Sequence, residues 1–269
     1  MRRRLDTELV RRGLVGSRAR AVELIASGRV IVGGAPAQSA ARQVDGSEAV
    51  AIIAAANEFV SRGGHKLAAA LDAFAIDPAG RRALDAGAST GGFTDCLLQA
   101  GATEIVAVDV GRGQLAWSLR NDPRVQVVER TNLRDLHAGA LGAPFDLVVV
   151  DLSFISLRLV GVNLLELASD DADFVLLVKP QFEAGRARVG KGGVVRDPVV
   201  HREVLAEVVR DLDAIGLGIR AVVPSPIRGA EGNAEFLAWA RRGAATVGEA
   251  ALDLAVASVP ARSGQNEPS

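Results

Sequence analysis

From Leu67 onward, the sequence alternates between short apolar stretches and longer segments whose apolar residues recur at helical spacing. Strands that alternate with helices form a mostly parallel sheet covered by helices on both faces. We therefore predict a doubly wound α/β domain over residues 65–259. The predicted strands are Arg82–Asp85, Glu104–Val110, Val125–Glu129, Phe145–Asp151, Asp173–Val178, Ile219–Pro224 and one near Ala234–Trp239, and the predicted helices include Phe93–Ala100, Gln114–Arg120 and Pro198–Ile215.

The first part of the chain has a different pattern, with two short helices ahead of several short strands. Leu5 and Leu9 share one helical face before Gly13, and Ser17 is placed as the N-cap of a second helix that ends near Gly28. This pattern predicts a small α+β domain. Its predicted limits are 1–57, followed by a linker over 58–64, and the polar tail over 260–269 is expected to fray.

Charge is unevenly distributed along the chain, although the formal net charge is only −1. Residues 1–66 contain 11 Lys and Arg against 6 Asp and Glu, whereas the remainder contains 20 against 26. A basic segment joined to a mildly acidic body favours a first part that holds a polyanion. A solvated surface with scattered arginines has the same charge, so charge alone leaves both interpretations open.

Composition excludes several classes of protein. The apolar fraction of 49% and the charged fraction of 23% are those of an ordinary globular protein, which excludes global disorder. The longest apolar runs, Ala49–Ala56 and Leu147–Val150, are far shorter than the roughly 20 residues that a bilayer span requires. The single cysteine, Cys96, cannot form an internal disulfide, and we therefore expect a reducing, cytoplasmic location.

A glycine-rich turn follows the first predicted strand of the α/β domain. Its spacing, Gly87-x-x-x-Gly91-Gly92, suits a ligand with a ribose and an amino-acid tail better than a dinucleotide, and it resembles motif I of S-adenosylmethionine-dependent methyltransferases. The next strand ends at Asp109, whose carboxylate can accept hydrogen bonds from a ribose diol. The predicted cofactor-binding residues are Asp85, Gly87, Ala88, Ser89, Thr90, Gly91, Gly92, Phe93, Asp109, Thr131, Asn132 and Asp151.

The strand ends do not fit methyl transfer to a nucleic-acid base. Transfer to cytosine C5 requires a cysteine nucleophile at the catalytic strand end, whereas Cys96 lies in the helix after the glycine turn, where a buried hydrophobe is expected. Transfer to an exocyclic amine typically uses an Asn/Asp-Pro-Pro-aromatic run, whereas the fourth strand ends in Asp151-Leu152-Ser153-Phe154. Both chemistries are disfavoured.

Four polar residues form a different candidate catalytic set, namely Lys66, Asp151, Lys179 and Glu235. A single lysine at a strand end is more often a solvated charge, but the apolar strand before Lys179 and the companion acids favour catalysis. A ribose 2′-hydroxyl must lose its proton as it attacks a sulfonium methyl, and an unprotonated Lys179 could take that proton. Asp151 and Glu235 would orient the two lysines and the ribose.

These runs of sequence make the chain similar to a known family. It resembles the TlyA-type rRNA 2′-O-methyltransferases, also labelled haemolysin-like, and its first part resembles the S4-type RNA-binding domain. The matching runs include Arg4–Asp6, Leu9–Leu14, Gly28–Val30, Ser61–Leu67, Asp85–Thr94, Asp109–Gly111, Gln114–Trp117, Asp151–Ser156 and Lys179–Glu183. The resemblance implies a Rossmann-like class I methyltransferase fold with S-adenosylmethionine as cofactor. It further implies a Lys-Asp-Lys-Glu tetrad at Lys66, Asp151, Lys179 and Glu235.

The resemblance also implies substrates and partners. They are cytidines of 16S and 23S rRNA within the 30S and 50S subunits, and we expect a monomer without a membrane or metal requirement. Arginines on the S4-type module are expected to contact RNA phosphates by shape and charge. These arginines are Arg2, Arg3, Arg4, Arg11, Arg12, Arg18 and Arg20.

Two segments leave questions open. The connector in relatives often carries an Arg and a Trp, whereas here it is Asn57-Glu58-Phe59-Val60, in which only Phe59 is aromatic. The basic, glycine-rich loop Arg186–Gly193 is expected either to meet RNA phosphate or to close over the cofactor.

Three rival functions are weighed against this one. An RNA-binding protein with a degenerate methyltransferase domain is disfavoured by the intact glycine turn, Asp109 and all four tetrad candidates. A membrane-active haemolysin is disfavoured because no segment is long enough to span and the chain contains no tyrosine. An enzyme acting on tRNA or another RNA is excluded only by the family resemblance.

Overall fold

The computed structural model of the protein describes residues 2–53 and 59–260. The chain divides into two compact units, residues 1–58 and residues 59–269. Separate clusters of buried apolar side chains lie within each unit. The predicted frayed tail falls outside the described residues apart from Pro260.

The small unit combines two helices with two short antiparallel sheets, β3-β2-β5 and β1-β4. Its elements are β1 (Arg3–Arg4), α1 (Leu5–Arg11), α2 (Arg18–Ala26), β2 (Val30–Val32), β3 (Ala35–Pro36), β4 (Gln43–Val44) and β5 (Val50–Ile52). Both predicted helices are confirmed. The Ser17 hydroxyl accepts a hydrogen bond from the Arg20 amide at 3.2 Å, and Gly13 follows the first helix with φ of +67°.

The large unit alternates strands and helices as predicted. Its strands are β6 (Arg82–Ala86), β7 (Glu104–Val108), β8 (Val125–Val128), β9 (Phe145–Val150), β10 (Ala168–Val178), β11 (Leu217–Pro224) and β12 (Phe236–Arg242). Its helices are α3 (Gly63–Ala73), α4 (Gly92–Gln99), α5 (Trp117–Arg120), α6 (Gly161–Leu167), α7 (Pro180–Glu183), α8 (Pro198–Asp213) and α9 (Glu249–Ala257).

The seven strands of the large unit form one sheet in the order β11-β12-β10-β9-β6-β7-β8. The strands from β10 to β8 in this order are parallel, and β12 is antiparallel to both of its neighbours. Side chains of α6, α8 and α9 pack on one face, and those of α3, α4 and α5 pack on the other. The predicted mostly parallel α/β fold is confirmed.

The linker prediction over 58–64 is wrong at its carboxyl end, because Gly63 and Gly64 begin helix α3. The second glycine of the pair is closely packed. A Cβ added at Gly64 would lie 2.1 Å from the Phe59 ring, so this helical turn is held against Phe59. The predicted helix Gln114–Arg120 is also shorter than expected, since α5 starts only at Trp117.

Candidate active site

Two cavities lie at the carboxyl ends of β6, β7, β9 and β10, where doubly wound folds bind ligands. Their volumes are about 490 and 520 Å³, within the range of small-molecule sites. We call the first the acceptor cavity, lined by Lys66 and Lys179, and the second the donor cavity, lined by Asp109. The two cavities share the lining residues Gly87, Ser89, Asp151, Ser153 and Phe154.

The acceptor cavity brings together all four predicted tetrad residues. Lys66 Nζ lies 2.5 Å from Glu235 Oε2, and Lys179 Nζ lies 2.5 Å from Asp151 Oδ1. The side chains of Lys66, Lys179 and Glu235 are at most 10% exposed, and that of Asp151 is 22% exposed. Two cations and two anions therefore form two ion pairs in a recess where solvent screening is reduced.

Each of these side chains is positioned by the start or end of a regular element. Lys66 lies in the first turns of α3, Asp151 directly follows β9, and Lys179 directly follows β10. Glu235 instead precedes β12. Because β12 is antiparallel to β10, its start reaches the same edge of the sheet as the ends of the parallel strands.

Lys179 has one further polar contact, since its Nζ donates a hydrogen bond to Ser153 Oγ at 3.1 Å. Asp151 and Ser153 thus hold the head of this lysine from the same turn after β9. The remaining face of Nζ is available to a ligand in the acceptor cavity. An amine fixed in this way can take a proton from a hydroxyl that is bound beside it.

The donor cavity contains the predicted ribose-binding carboxylate. Asp109 Oδ2 accepts a hydrogen bond from the Ser89 amide at 2.8 Å, and its Oδ1 accepts one from the Gly111 amide at 2.6 Å. These bonds fix the carboxylate, which retains lone pairs for two hydroxyl donors. Thr131 and Asn132 line the same cavity, as expected for residues near a nucleoside base.

The glycine-rich turn is shaped by two different requirements. Gly87 has φ of +91°, and a Cβ there would lie 2.5 Å from the Asp151 carbonyl oxygen, so the turn and the end of β9 pass in close contact. Gly91 has φ of +98°, and its Cβ would lie 2.2 Å from Leu119 Cδ1. Gly87 therefore allows the two cavities to adjoin, whereas Gly91 allows the turn to pack on α5.

Asp85 and Gly91, both predicted to bind cofactor, line neither cavity. Asp85 is fully buried beneath the turn, and its Oδ2 accepts a hydrogen bond from the Thr94 hydroxyl at 2.6 Å. Burial raises the pKa of Asp85 to about 7. Asp85 therefore lies beneath the turn and Gly91 packs the turn on α5, while Gly87, Ala88, Ser89, Thr90, Gly92 and Phe93 line the acceptor or donor cavity.

Cys96 is buried in α4, as the sequence predicts. Burial raises the pKa of its thiol to about 12. A thiol that stays protonated is not a nucleophile, so this residue fills space in the core.

The predicted RNA-binding arginines of the small unit are exposed, with the exception of the half-buried Arg12. Several of them pair with two buried acids that sequence reasoning missed. Arg4 and Arg18 lie 3.0 and 2.9 Å from Asp6, and Arg11 and Arg12 lie 2.6 and 2.8 Å from Glu8. The guanidinium groups hold the pKa of both carboxyls below their usual range.

Arg12 differs from the other arginines because its donors are used inside the unit. It also donates to the backbone carbonyls of Glu48, Asp45 and Gly46, at 2.8, 3.2 and 3.2 Å. Its guanidinium therefore joins α1 to the loop ahead of β5. Arg3, Arg4, Arg11, Arg18 and Arg20 keep more than a third of their surface exposed for a polyanion.

Two further polar residues near the site were not among the predicted site residues, although Glu183 lies in the matching run Lys179–Glu183. Asn233 is buried; its Nδ2 donates to the Gly193 carbonyl at 3.0 Å, and its Oδ1 accepts from the Val195 amide at 2.9 Å. It ties the end of the loop Arg186–Gly193 to the segment that carries Glu235. Glu183 is also buried.

Comparison with known families decides the class of this protein. Residues 59–242 match the model of the FtsJ-like methyltransferase family, and residues 3–50 match that of the S4 domain. The chain belongs to the FtsJ-like methyltransferase family. The methyltransferase domain is thus the large unit, and the S4 domain lies within the small one.

The methyltransferase is similar to characterised and solved relatives along most of its length. It is 54% identical over 89% of its chain, and over 90% of the relative, to the 16S/23S rRNA (cytidine-2′-O)-methyltransferase TlyA of Mycobacterium tuberculosis. It is 38% identical over 87% of its chain and 98% of the relative to Hemolysin A of Brachyspira hyodysenteriae. A hemolysin-named structure from Streptococcus thermophilus is 35% identical, with a TM-score of 0.72 over 95% and 94% of the two chains.

The described residues were found to contain neither a membrane-spanning helix nor a cluster of metal-binding side chains. Within residues 2–53 and 59–260 of the methyltransferase, no helix has the length and apolar character needed to cross a membrane. The same part of the chain contains no group of three or more His, Cys, Asp or Glu side chains able to hold a metal ion.

Proposed function

We propose that this methyltransferase transfers the methyl group of S-adenosylmethionine to the ribose 2′-oxygen of cytidine in ribosomal RNA, with Lys179 as general base. One observation carries the proposal. Two ion pairs, Lys66 with Glu235 and Lys179 with Asp151, lie in the acceptor cavity, which adjoins the donor cavity. No thiol nucleophile lines either cavity, which supports an oxygen acceptor.

The donor cavity fits S-adenosylmethionine. Its volume suits a nucleoside with an amino-acid tail, and Asp109 offers a fixed carboxylate for the ribose diol. Thr131 and Asn132 would lie near the adenine, and the turn from Gly87 to Gly92 would follow the tail. When bound, this cofactor supplies an electrophilic sulfonium methyl.

The acceptor cavity would perform the other half of the reaction. With its amine unprotonated, Lys179 takes the proton of the 2′-hydroxyl as the oxygen attacks the sulfonium methyl, while Asp151 and Ser153 hold the amine in place. Lys66, paired with Glu235, presents a second positive charge that stabilises the developing alkoxide. Alignment of the oxygen with the methyl group supplies most of the remaining acceleration.

The choice of rRNA rests on the relative with 54% identity, which is named a 16S/23S rRNA (cytidine-2′-O)-methyltransferase. We propose the 30S and 50S subunits as substrates and the cytoplasm, where they occur, as the location. The exposed arginines of the S4 domain, Arg3, Arg4, Arg11, Arg18 and Arg20, would contact RNA phosphates. We propose that the enzyme acts as a monomer.

Methyl transfer from tritiated S-adenosylmethionine to separate 30S and 50S subunits tests this function. We expect label in the 2′-O-methyl group of a cytidine, identified by nuclease mapping and mass spectrometry. Cys96→Ala serves as the control and is expected to be as active as the wild type, because its thiol is buried. Label found only on a base, or on neither subunit, would contradict the proposal.

A further inference from the structure

Glu183 is a buried acid that the proposed chemistry does not use. It is 4% exposed and is the last residue of α7, the short helix that begins immediately after Lys179. Burial raises the pKa of Glu183, and hydrogen bonds from Ser156 and Leu157 oppose that shift. A buried carboxylate carries a desolvation cost, so its partners indicate what it stabilises.

The partners of Glu183 all lie in the segment that follows Asp151. The Ser156 hydroxyl donates to Oε2 at 2.5 Å, and the Leu157 amide donates to Oε1 at 2.8 Å. Arg158 Nε lies 3.4 Å from Oε2, and its Nη2 donates to the Glu183 carbonyl at 3.0 Å. Both carboxylate oxygens are thus committed to one short stretch of chain.

These bonds close a ring between two catalytic strand ends. At one side of the ring, Lys179 contacts Asp151 and Ser153. At the other side, Glu183 contacts Ser156 and Leu157. The position of Lys179 relative to its two partners therefore depends on how α7 is attached to the turn after β9.

Arg158 attaches the ring to the rest of the domain. Its Nη1 lies 3.1 Å from Asp211 and 3.8 Å from Glu207, both on α8. The Glu183 contact with Arg158 thus prevents the turn and α7 from moving together as one loose segment. A network of this kind is rigid only when each member has its partners.

We propose that Glu183 is a positioning residue that sets the geometry of Lys179 against Asp151 and Ser153. This inference rests on the proposed function of Lys179 as general base. A displacement of a reacting group by about 1 Å can reduce turnover about a hundredfold while binding is preserved. The signature of positioning is therefore a loss of kcat without an equal change in KM or cofactor affinity.

Two substitutions at Glu183 provide the main test, measured as single-turnover methyl transfer to ribosomal subunits. We expect Glu183→Ala to lower kcat about fiftyfold, because Ser156 and Leu157 lose their acceptor. Glu183→Gln retains the length and one oxygen, so we expect it to recover most of the loss and remain within about fivefold of wild type. The KM for subunits and the Kd for S-adenosylmethionine should stay within about twofold.

Glu203→Ala is the matched control. Glu203 is an exposed glutamate of α8 that pairs with Arg188 at 3.4 Å and touches neither cavity. Its substitution should leave kcat unchanged. Glu183→Ala with wild-type kcat would overturn the proposal, as would parallel losses of kcat, cofactor affinity and thermal stability, because these indicate a merely structural role.

Ser156→Ala keeps the test decisive if Glu183→Ala does not fold. Removal of this hydroxyl should lower kcat about fivefold alone and have little added effect in the Glu183→Gln background, because both changes break the same contact. Fully additive effects would overturn the proposal. A wild-type enzyme that transfers no methyl group to a 2′-oxygen refutes the proposed function, whereas an active wild type with an equally active Glu183→Ala refutes the positioning role alone.

Discussion

The ion pairs of the S4 domain and those of the acceptor cavity use the same chemistry in opposite arrangements. In the S4 domain the acids Asp6 and Glu8 are buried, and the side chains of Arg4, Arg11 and Arg18 are 47–61% exposed. In the acceptor cavity both partners of the Lys66–Glu235 pair are buried. An exposed cation can exchange its partner for a phosphate at little cost, whereas a buried pair fixes one geometry.

This difference suggests a division of roles. Exposed arginines on buried acids suit a surface that binds a polyanion in a salt-dependent way. Buried pairs suit a site in which atoms must be aligned before the reaction. Four variants test the comparison, from the largest expected effect to the smallest.

Lys179→Ala should reduce methyl transfer about a thousandfold or more, because general base catalysis is lost. Calorimetry should give a Kd for S-adenosylmethionine within about threefold of wild type, since Lys179 lines only the acceptor cavity. Lys179→Arg is the matched control, because arginine keeps the charge but does not release its proton. A Lys179→Arg enzyme with more than about a tenth of wild-type activity would rule out the base role and leave only an electrostatic one.

Asp85→Asn tests a buried acid whose carboxylate accepts a hydrogen bond from the neutral Thr94 hydroxyl. The folded-state pKa of Asp85 is raised from 3.8 to about 7, so the folded protein keeps a proton that the unfolded chain releases in this interval. The free energy of unfolding contributed by this residue therefore falls as pH rises from about 4 to about 7. Asp85→Asn should remove this pH-dependent loss of unfolding free energy, which is at most about 4 kcal/mol at pH 7.

Urea unfolding at several pH values measures the effect of Asp85→Asn. The exposed Asp72→Asn, on α3, is the control and should leave the pH dependence unchanged. An unchanged pH dependence in Asp85→Asn would mean that the buried carboxyl titrates as it does in the unfolded chain.

The double substitution Arg3→Gln and Arg20→Gln tests the exposed side of the comparison. Arg3 is exposed, and Arg20 pairs with the exposed Glu23, so we expect unchanged thermal stability and an increase of about tenfold in KM for ribosomal subunits. The slope of log affinity against log salt should become shallower by about one to two. Arg210→Gln, an exposed arginine of the large unit, is the control. Equal subunit affinity and salt slope in the double variant would remove these arginines from the RNA surface.

Arg12→Lys has the smallest expected effect. Arg12 is half-buried, between the exposed arginines of the S4 domain and the buried lysines of the acceptor cavity in its exposure. Lysine keeps the charge but lacks the planar guanidinium, so it cannot contact Glu8 and three backbone carbonyls at once. The S4 domain should therefore lose about 1–2 kcal/mol of unfolding free energy. Arg11→Lys, at a half-exposed position, should lose about 0.5 kcal/mol or less. Hydrogen exchange of α1 measures both, and equal losses would contradict an internal role for Arg12.

The sequence was most informative where local chemistry and strand periodicity coincide. Asp109, Asp151 and Lys179 were found because each follows an apolar strand, and strand ends converge at one edge of a parallel sheet. Ser17 was found because a hydroxyl before a helical pattern has a specific capping role. These signals are contained in a few neighbouring residues.

Other features depend on contacts that neighbouring residues do not encode. Helices α6 and α9 were not predicted, and neither has a side-chain hydrogen bond at its N-cap. Asp6 and Glu8 are charged residues whose burial the sequence did not indicate, because the cations that cover them include Arg18, twelve positions from Asp6. Asp85 is buried and lines neither cavity. Proximity to the glycine turn in sequence does not distinguish the lining of a cavity from the layer beneath it, and the cofactor-binding role of Asp85 stays a prediction.

The pairing of Lys66 with Glu235 has a consequence for biosynthesis. The two residues are 169 positions apart, and Glu235 precedes the last strand of the sheet. A nascent chain that has exposed the glycine turn, Asp109 and Lys179 still lacks the partner of Lys66 until residue 235 has left the exit tunnel. The acceptor cavity therefore gains its last charged side chain only when translation of the large unit is nearly complete.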